Sequence, residues 1–160
     1  MASEILDLCA LGMRLRPRQR LMGADLGTKT IGLALSDVER RIATPLVTIR
    51  RTNFSKDAAW LSSLLNEFDA GGLVIGLPLN MDGTEGPGAQ AVRAFGRNFA
   101  PLSACPLTFW DERLSTAAIT RSLIAQDVSR AKRAAAVDRM AAAYILQGAL
   151  DRLRALRPSG

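Results

Sequence analysis

Three acidic residues stand where the surrounding pattern is apolar: Asp25, Glu112 and Asp138. Asp25 lies inside Leu21-Met22-Gly23-Ala24-Asp25-Leu26, and Glu112 closely follows Leu107-Thr108-Phe109-Trp110. A carboxylate drawn into apolar surroundings is costly unless something positive meets it, and a divalent cation would serve. Beside Asp25, Gly27 and Gly32 let the backbone turn tightly and come close to a ligand. Taken alone, Asp25 reads equally well as a structural carboxylate capping its turn. Asp138 is placed by geometry: at about 100° per residue it shares a helix face with Ala141, Ala142, Ile145 and Ala149. Its neighbour Arg139 points elsewhere on the same wheel, and the small alanines would let this helix approach a sheet closely.

The donor set is all oxygen, which suits Mg²⁺ or Mn²⁺ rather than zinc or copper. Carboxylates from two strands and a helix can hold two such ions about 3.5–4 Å apart, activate a water and stabilise the leaving oxygen of a phosphodiester displacement. The chain contains no histidine. That excludes Ser-His-Asp and Cys-His nucleophiles, His-ligated zinc and histidine acid–base catalysis. An enzyme built from these residues must work with carboxylates, lysine, hydroxyls and metal ions.

The charge balance agrees with an anionic substrate. Among 160 residues, 21 are Lys or Arg against 15 Asp or Glu, a formal charge of +6, and 18 of the basic residues are Arg. The excess favours a polyanionic partner, although a bias toward Arg also follows from base composition. The 48% hydrophobic and 22% charged fractions are those of an ordinary soluble domain. Cys9 and Cys105 show neither metal-type spacing nor a disulfide framework, which fits a reducing cytoplasm. No run reaches membrane-spanning length, and Glu4 and Asp7 break the amino-terminal apolar stretch, so no membrane role is expected.

Periodicity supplies the elements that must position these groups. Residues 1–20, with Arg14, Arg16, Arg18 and Arg20, read as a basic, solvated extension, and residues 21–156 as one domain. Strands are expected at about 21–26, 30–37 and 42–49, joined as an antiparallel meander. A helix over 55–69 would start at Ser55 and stop at Gly71-Gly72. Leu73-Val74-Ile75-Gly76-Leu77 reads as a strand buried on both faces, as in a parallel sheet. A polar loop, 78–87, follows its carboxyl end, where ligands sit in open α/β sheets. A helix at 88–100, a strand at 107–110 and helices at 115–125 and 134–156 complete an α/β sheet with an antiparallel flank.

The stretches GADLGTKTIGLALSD, VIGLPLNMDGTEGP, WDERLST and AAAVDRMAAAYILQ resemble, in this order, the YqgF/RuvX family over about Met22 to Leu150. Its members are described as Holliday junction resolvases or as nucleases that process the precursor of small-subunit ribosomal RNA. The resemblance implies a ribonuclease-H-like fold with a five-stranded mixed sheet, three antiparallel strands then two parallel, flanked by helices. It implies an Mg²⁺- or Mn²⁺-dependent endonuclease with Asp25, Glu112 and Asp138 as catalytic and metal-binding residues. Resolvase relatives often carry a fourth acid one turn along the last helix, where this chain has Ala141 and Ala142, and their strand equivalent to 73–77 ends in an acid. Both departures favour 5′-end processing of pre-16S rRNA over junction cleavage.

The supporting residues have open readings. Lys29 is placed to touch a scissile phosphate or to stay solvated in its turn. Asn80 and Asp82 are placed to shape a substrate-facing loop. Arg113 either clamps a phosphate bidentately or pairs with Asp111 or Glu112 as scaffold. Asp111 is an outer ligand or a turn residue, Ser115 the N-cap of the next helix, and Trp110 a core residue. Expected partners are pre-rRNA, branched DNA and the ribosome, for a monomer or homodimer. Two other readings stand beside the nuclease: a non-catalytic rRNA- or ribosome-binding factor, and an ATP-binding DxGT hairpin, for which the chain lacks a closing second domain.

Overall fold

The computed structural model of the chain describes residues 4–114 and 130–156, without the side chains of residues 130–138. Strands β1 (Arg20–Leu26), β2 (Thr30–Ser36), β3 (Ala43–Arg50), β4 (Ala70–Leu77) and β5 (Leu107–Asp111) form one sheet in the order β3-β2-β1-β4-β5. Pairing of β1 with β2 and of β2 with β3 is antiparallel, whereas β4 runs parallel to both β1 and β5. This is the five-stranded mixed sheet expected from the sequence. The helix expected over 115–125 and the Ser115 cap lie outside the described residues.

Every residue of β4 is buried, as its unbroken apolar run requires for a strand covered on both sides. On one face lie α2 (Phe54–Glu67) and α3 (Pro87–Phe99), whose Leu61, Leu65, Val92 and Phe99 pack on Met22, Ala24, Leu73 and Ile75. On the other lie α1 (Leu8–Met13) and α4 (Arg130–Leu156), where Ala142, Ile145, Leu146 and Ala149 meet Leu21 and Val74. The side chains of β1 thus divide by period two, with Asp25 on the α4 face together with Leu21 and Gly23.

Three expectations are corrected. Helix α2 starts at Asn53, not Ser55: the Asn53 side-chain oxygen accepts from the Lys56 N–H at 3.0 Å. Gly71-Gly72 does not stop that helix but belongs to β4, and the chain reverses at Asp69 with φ of 50°. The two glycines answer to packing, because a Cβ at Gly72 would come 2.8 Å from the Leu11 side chain and one at Gly71 would strike Gln19 and Leu15.

The same contacts correct the reading of residues 1–20 as a solvated appendage. Leu11 is fully buried in the α4-side core. Residues 4–6 bridge to β5, with the Leu6 N–H donating to the Leu107 carbonyl at 2.8 Å and the Leu107 N–H to Glu4 at 3.0 Å. Arg14 and Arg16 face Glu4 and Asp69 at 3.5 and 3.9 Å. The arm's apolar residues carry it onto the domain, and Arg14, Arg16 and Arg18 line the outside.

The β2–β3 turn depends on Asp37, whose Oδ1 accepts from the N–H groups of Arg41 at 2.7 Å and Ile42 at 3.0 Å. These donors, Ile42 first, hold its carboxyl below the usual carboxylate range. A depressed pKa adds stability above the unfolded-state value, and that stability is lost as pH falls through the folded value. Asp37→Ala should therefore cost about 1 kcal/mol at neutral pH, and the deficit should shrink below about pH 4, in urea unfolding at both pH values. Leu11→Ala should cost about 3 kcal/mol in the same assay; an unchanged midpoint would mean that α1 is not part of the cooperative unit.

Candidate functional site

Asp25, the penultimate residue of β1, lies on the α4 face and is only 7% exposed. Its antiparallel partner in β2 is Gly32, and on the β4 side Ala24 pairs with Ile75, which sets Asp25 beside Gly76. Both flanking positions on this face are therefore glycine. Neither adds a side chain of its own, and over Gly76 the space is taken by Ile145 of α4 and by the Glu112 carboxylate. This corrects the turn role assigned to Gly32, which is a strand residue; Gly27, in the turn, does not need a positive φ. The Gly27 N–H is spent within the hairpin on the Thr30 carbonyl at 2.9 Å, so it is not offered to a nucleotide phosphate.

Glu112 opens the single 3-10 turn Glu112–Leu114 that follows β5. A Cβ built on Gly76 would lie 3.0 Å from Glu112 Oε1 and would collide with Ile145 Cδ1. The Glu112 carboxylate therefore reaches across the end of β4 toward the strand that carries Asp25. Because β1, β4 and β5 are mutually parallel, both acids sit at strand carboxyl ends, the edge where α/β sheets bind ligands.

The third acid is carried by α4. Helix α4 runs from the carboxyl ends of the strands toward their amino ends, where Leu153 reaches Gly12. The Ala142 carbonyl lies 3.0 Å from a Cβ built on Gly23, and position 138 is one turn earlier along the helix. Position 138 therefore lies on the carboxyl-end side of Ala142, the side toward Asp25. The Asp138 side chain is outside the described residues. Among the described residues no three acidic or cysteine side chains gather into a metal site. What is described are two carboxylates at the carboxyl ends of β1 and β5, a hard, all-oxygen donor set that fits a divalent cation.

The supporting residues divide. Lys29 is exposed in the β1–β2 turn, where its carbonyl accepts from the Arg51 N–H at 2.8 Å. The Asn80 amide is committed to its own loop, donating to Thr84 Oγ1 at 2.9 Å. Asp82 Oδ1 accepts from the Thr84 hydroxyl at 2.6 Å and the Thr84 N–H at 3.0 Å, and these bonds lower its pKa. Arg113 takes the scaffold side of its two readings, pairing with Asp111 at 2.7 Å. That hydrogen bond holds the Asp111 carboxyl below its ordinary range. Trp110 is buried at 8% exposure against Gly148 of α4, the core position expected of it. What sequence reasoning missed is the pair Gly32 and Gly76, whose common face only the strand register reveals.

The chain matches the RuvX family, described as "Holliday junction resolvase", over residues 19–152. It is 70% identical over 154 residues to a protein of Methylocella silvestris named "putative pre-16S rRNA nuclease", covering 96% of each chain. A protein of the same name from Beijerinckia indica subsp. indica is 67% identical over 153 residues, 96% of this chain and 93% of that one. Among solved structures, RuvC of T. thermophilus in complex with Holliday junction substrate superposes with a TM-score of 0.55 at 14% identity, covering 88% of this chain and 99% of that one. A second Thermus thermophilus RuvC structure gives 0.53 at 12% identity, with coverage of 86% and 97%. At these identities the likeness establishes the fold, which is the ribonuclease-H-like one.

The packing of Ile145 over Gly76 can be measured. Gly76→Ala should lower stability by about 1–3 kcal/mol through overpacking against α4. Removing the colliding methyl with Ile145→Val should recover part of that loss, read from urea midpoints of the single and double variants. Additive losses would place the strain elsewhere.

Proposed function

This chain belongs to the RuvX family, and on that premise we propose that it is a divalent-metal-dependent endonuclease acting on structured nucleic acid. Its favoured reaction is 5′-end processing of pre-16S rRNA. The observation that carries this reading is Asp25, a nearly buried carboxylate at a strand carboxyl end, flanked by two glycines and approached by Glu112.

Asp25, Glu112 and Asp138 would hold the cations, Mg²⁺ or Mn²⁺. Bound there, such ions activate a water at neutral pH and stabilise both oxygens of an in-line displacement. The protein's own contribution is geometric. Gly76 lets Ile145 of α4 and the Glu112 carboxylate sit directly on β4 beside Asp25, which supports keeping the two acids close together. The net charge of +6 attracts the polyanion while the carboxylate pocket repels phosphate in the absence of cations. Lys29, exposed beside Asp25, is the residue proposed to contact the scissile phosphate.

The names of the relatives favour rRNA, and the family's description favours a second reading, cleavage of four-way DNA junctions. No described helix is long and apolar enough to cross a membrane, and Cys9 and Cys105 are both free. We infer a cytoplasmic protein that acts on RNA at or before ribosome assembly, as a monomer or homodimer.

Incubation of the protein with pre-16S rRNA and a four-way DNA junction, side by side with Mg²⁺ or Mn²⁺, tests the assignment. Cleavage of the rRNA is expected, and Asp25→Asn, Glu112→Gln and Asp138→Asn should each reduce it by at least about a thousandfold with the fold intact. Cleavage by contaminant-free Asp25→Asn would defeat the enzymatic reading. Junction cleavage without rRNA cleavage would replace the substrate, and tight rRNA binding without turnover under either ion would favour the non-catalytic factor.

A further inference from the structure

Arg113 is gripped by contacts that owe nothing to a substrate. Its main-chain N–H donates to Asp111 Oδ1 at 3.0 Å. Its guanidinium holds the same carboxylate through Nε at 3.0 and 3.1 Å and through Nη2 at 2.7 Å. The remaining nitrogen, Nη1, donates to the Met81 carbonyl at 3.2 Å. Gly83, at φ of 89°, turns the loop directly under the guanidinium, and a Cβ there would lie 3.4 Å from Nη1. One side chain therefore spans from the strand end that carries Glu112 to the loop after β4.

That loop is already ordered from within. The Asn80 N–H donates to the Thr84 carbonyl at 2.9 Å, and the Gly83 N–H to the Asn80 carbonyl at 2.8 Å. Its far end is tied to α3 by Arg93, which donates to Glu85 at 2.6 Å and lies 5.2 Å over the Phe109 ring of β5. Arg113 supplies the link between this rigid turn and the Glu112 turn.

We propose that Arg113 is a positioning residue that locks the 78–86 loop to the Glu112-bearing turn and so fixes the Glu112 carboxylate relative to the strand ends. The proposal rests on the nuclease reading and specifies how the site is held. Three observations separate it from a phosphate clamp: Asp111 neutralises the guanidinium, the bidentate pairing takes its planar edge, and Met81 takes the other nitrogen. A lysine keeps the charge but cannot reproduce the fork.

Single-turnover cleavage and equilibrium binding of the substrate cut by the wild type should be measured for Arg113→Lys, Asp111→Ala and the double variant. Loss of a positioning contact should slow cleavage about 10- to 100-fold while substrate affinity and its salt dependence stay near wild type. Asp111→Ala should match Arg113→Lys, and the double variant should be no slower than either single. A wild-type rate in Asp111→Ala, or weakened binding with the rate preserved, would overturn the proposal in favour of the clamp. A second readout needs no cleavage: the ¹³C-labelled methyl of Met81, 91% exposed, should become more mobile by NMR in both single variants. An unchanged Met81 signal in both would also overturn it. Asp25→Asn run in parallel keeps the outcomes apart, since its retained activity would sink the nuclease reading and not the strut.

Discussion

The close seating of α4 on the sheet is the constraint to which the other features answer. Gly23, Gly76 and Gly148 each stand where a Cβ would strike the opposing layer, at Leu146, Ile145 and Trp110 respectively. Ala142 and Ala149 complete the contact from the helix side, both fully buried. Interiors pack at crystal-like density, so a helix admitted this near cannot drift. Small residues on both surfaces thus seat the helix that carries position 138 directly on β1 and β4. The glycines cost chain entropy on folding, and what they return is a short, fixed separation between acid-bearing elements that are far apart in the chain.

A second layer of order lies at the strand carboxyl ends, where the backbone leaves regular structure. There the polar side chains bond chiefly to one another: Asp82 to Thr84, Asn80 to Thr84, Arg113 to Asp111. Regions meant to bind a mobile polyanion are often loose, yet this one is cross-braced. Such bracing reduces the ordering cost that a substrate would otherwise meet on binding.

Much of this was legible from the chain alone, for reasons that differ by element. The β4 run is wholly apolar and short, so its burial on both faces followed directly, and the 3.6-residue stripe around Ala142 and Ile145 identified α4. Asp25 stood out because a carboxylate is rare in such company. The failures share a cause, which is that the deciding contact is distant in sequence. Gly71 and Gly72 resemble a helix stop until Leu11, some sixty residues away, is seen to need their missing side chains. The α2 cap was read at Ser55, and only the backbone geometry selects Asn53. Asp111 and Arg113 were both noticed, but neighbours in sequence do not reveal which of several partners wins.

The two margins of the sheet carry a last implication. Beside β5, residues 4–6 occupy its first hydrogen-bonding positions; beside β3, Pro45 lacks an N–H and the Ala43 N–H is taken by Gln147 Oε1 at 2.9 Å. Open ladders invite foreign strands, and both of these are blunted. Two copies meeting in solution would have to strip those bonds to join their sheets end to end, so self-association through continuous β-structure is disfavoured.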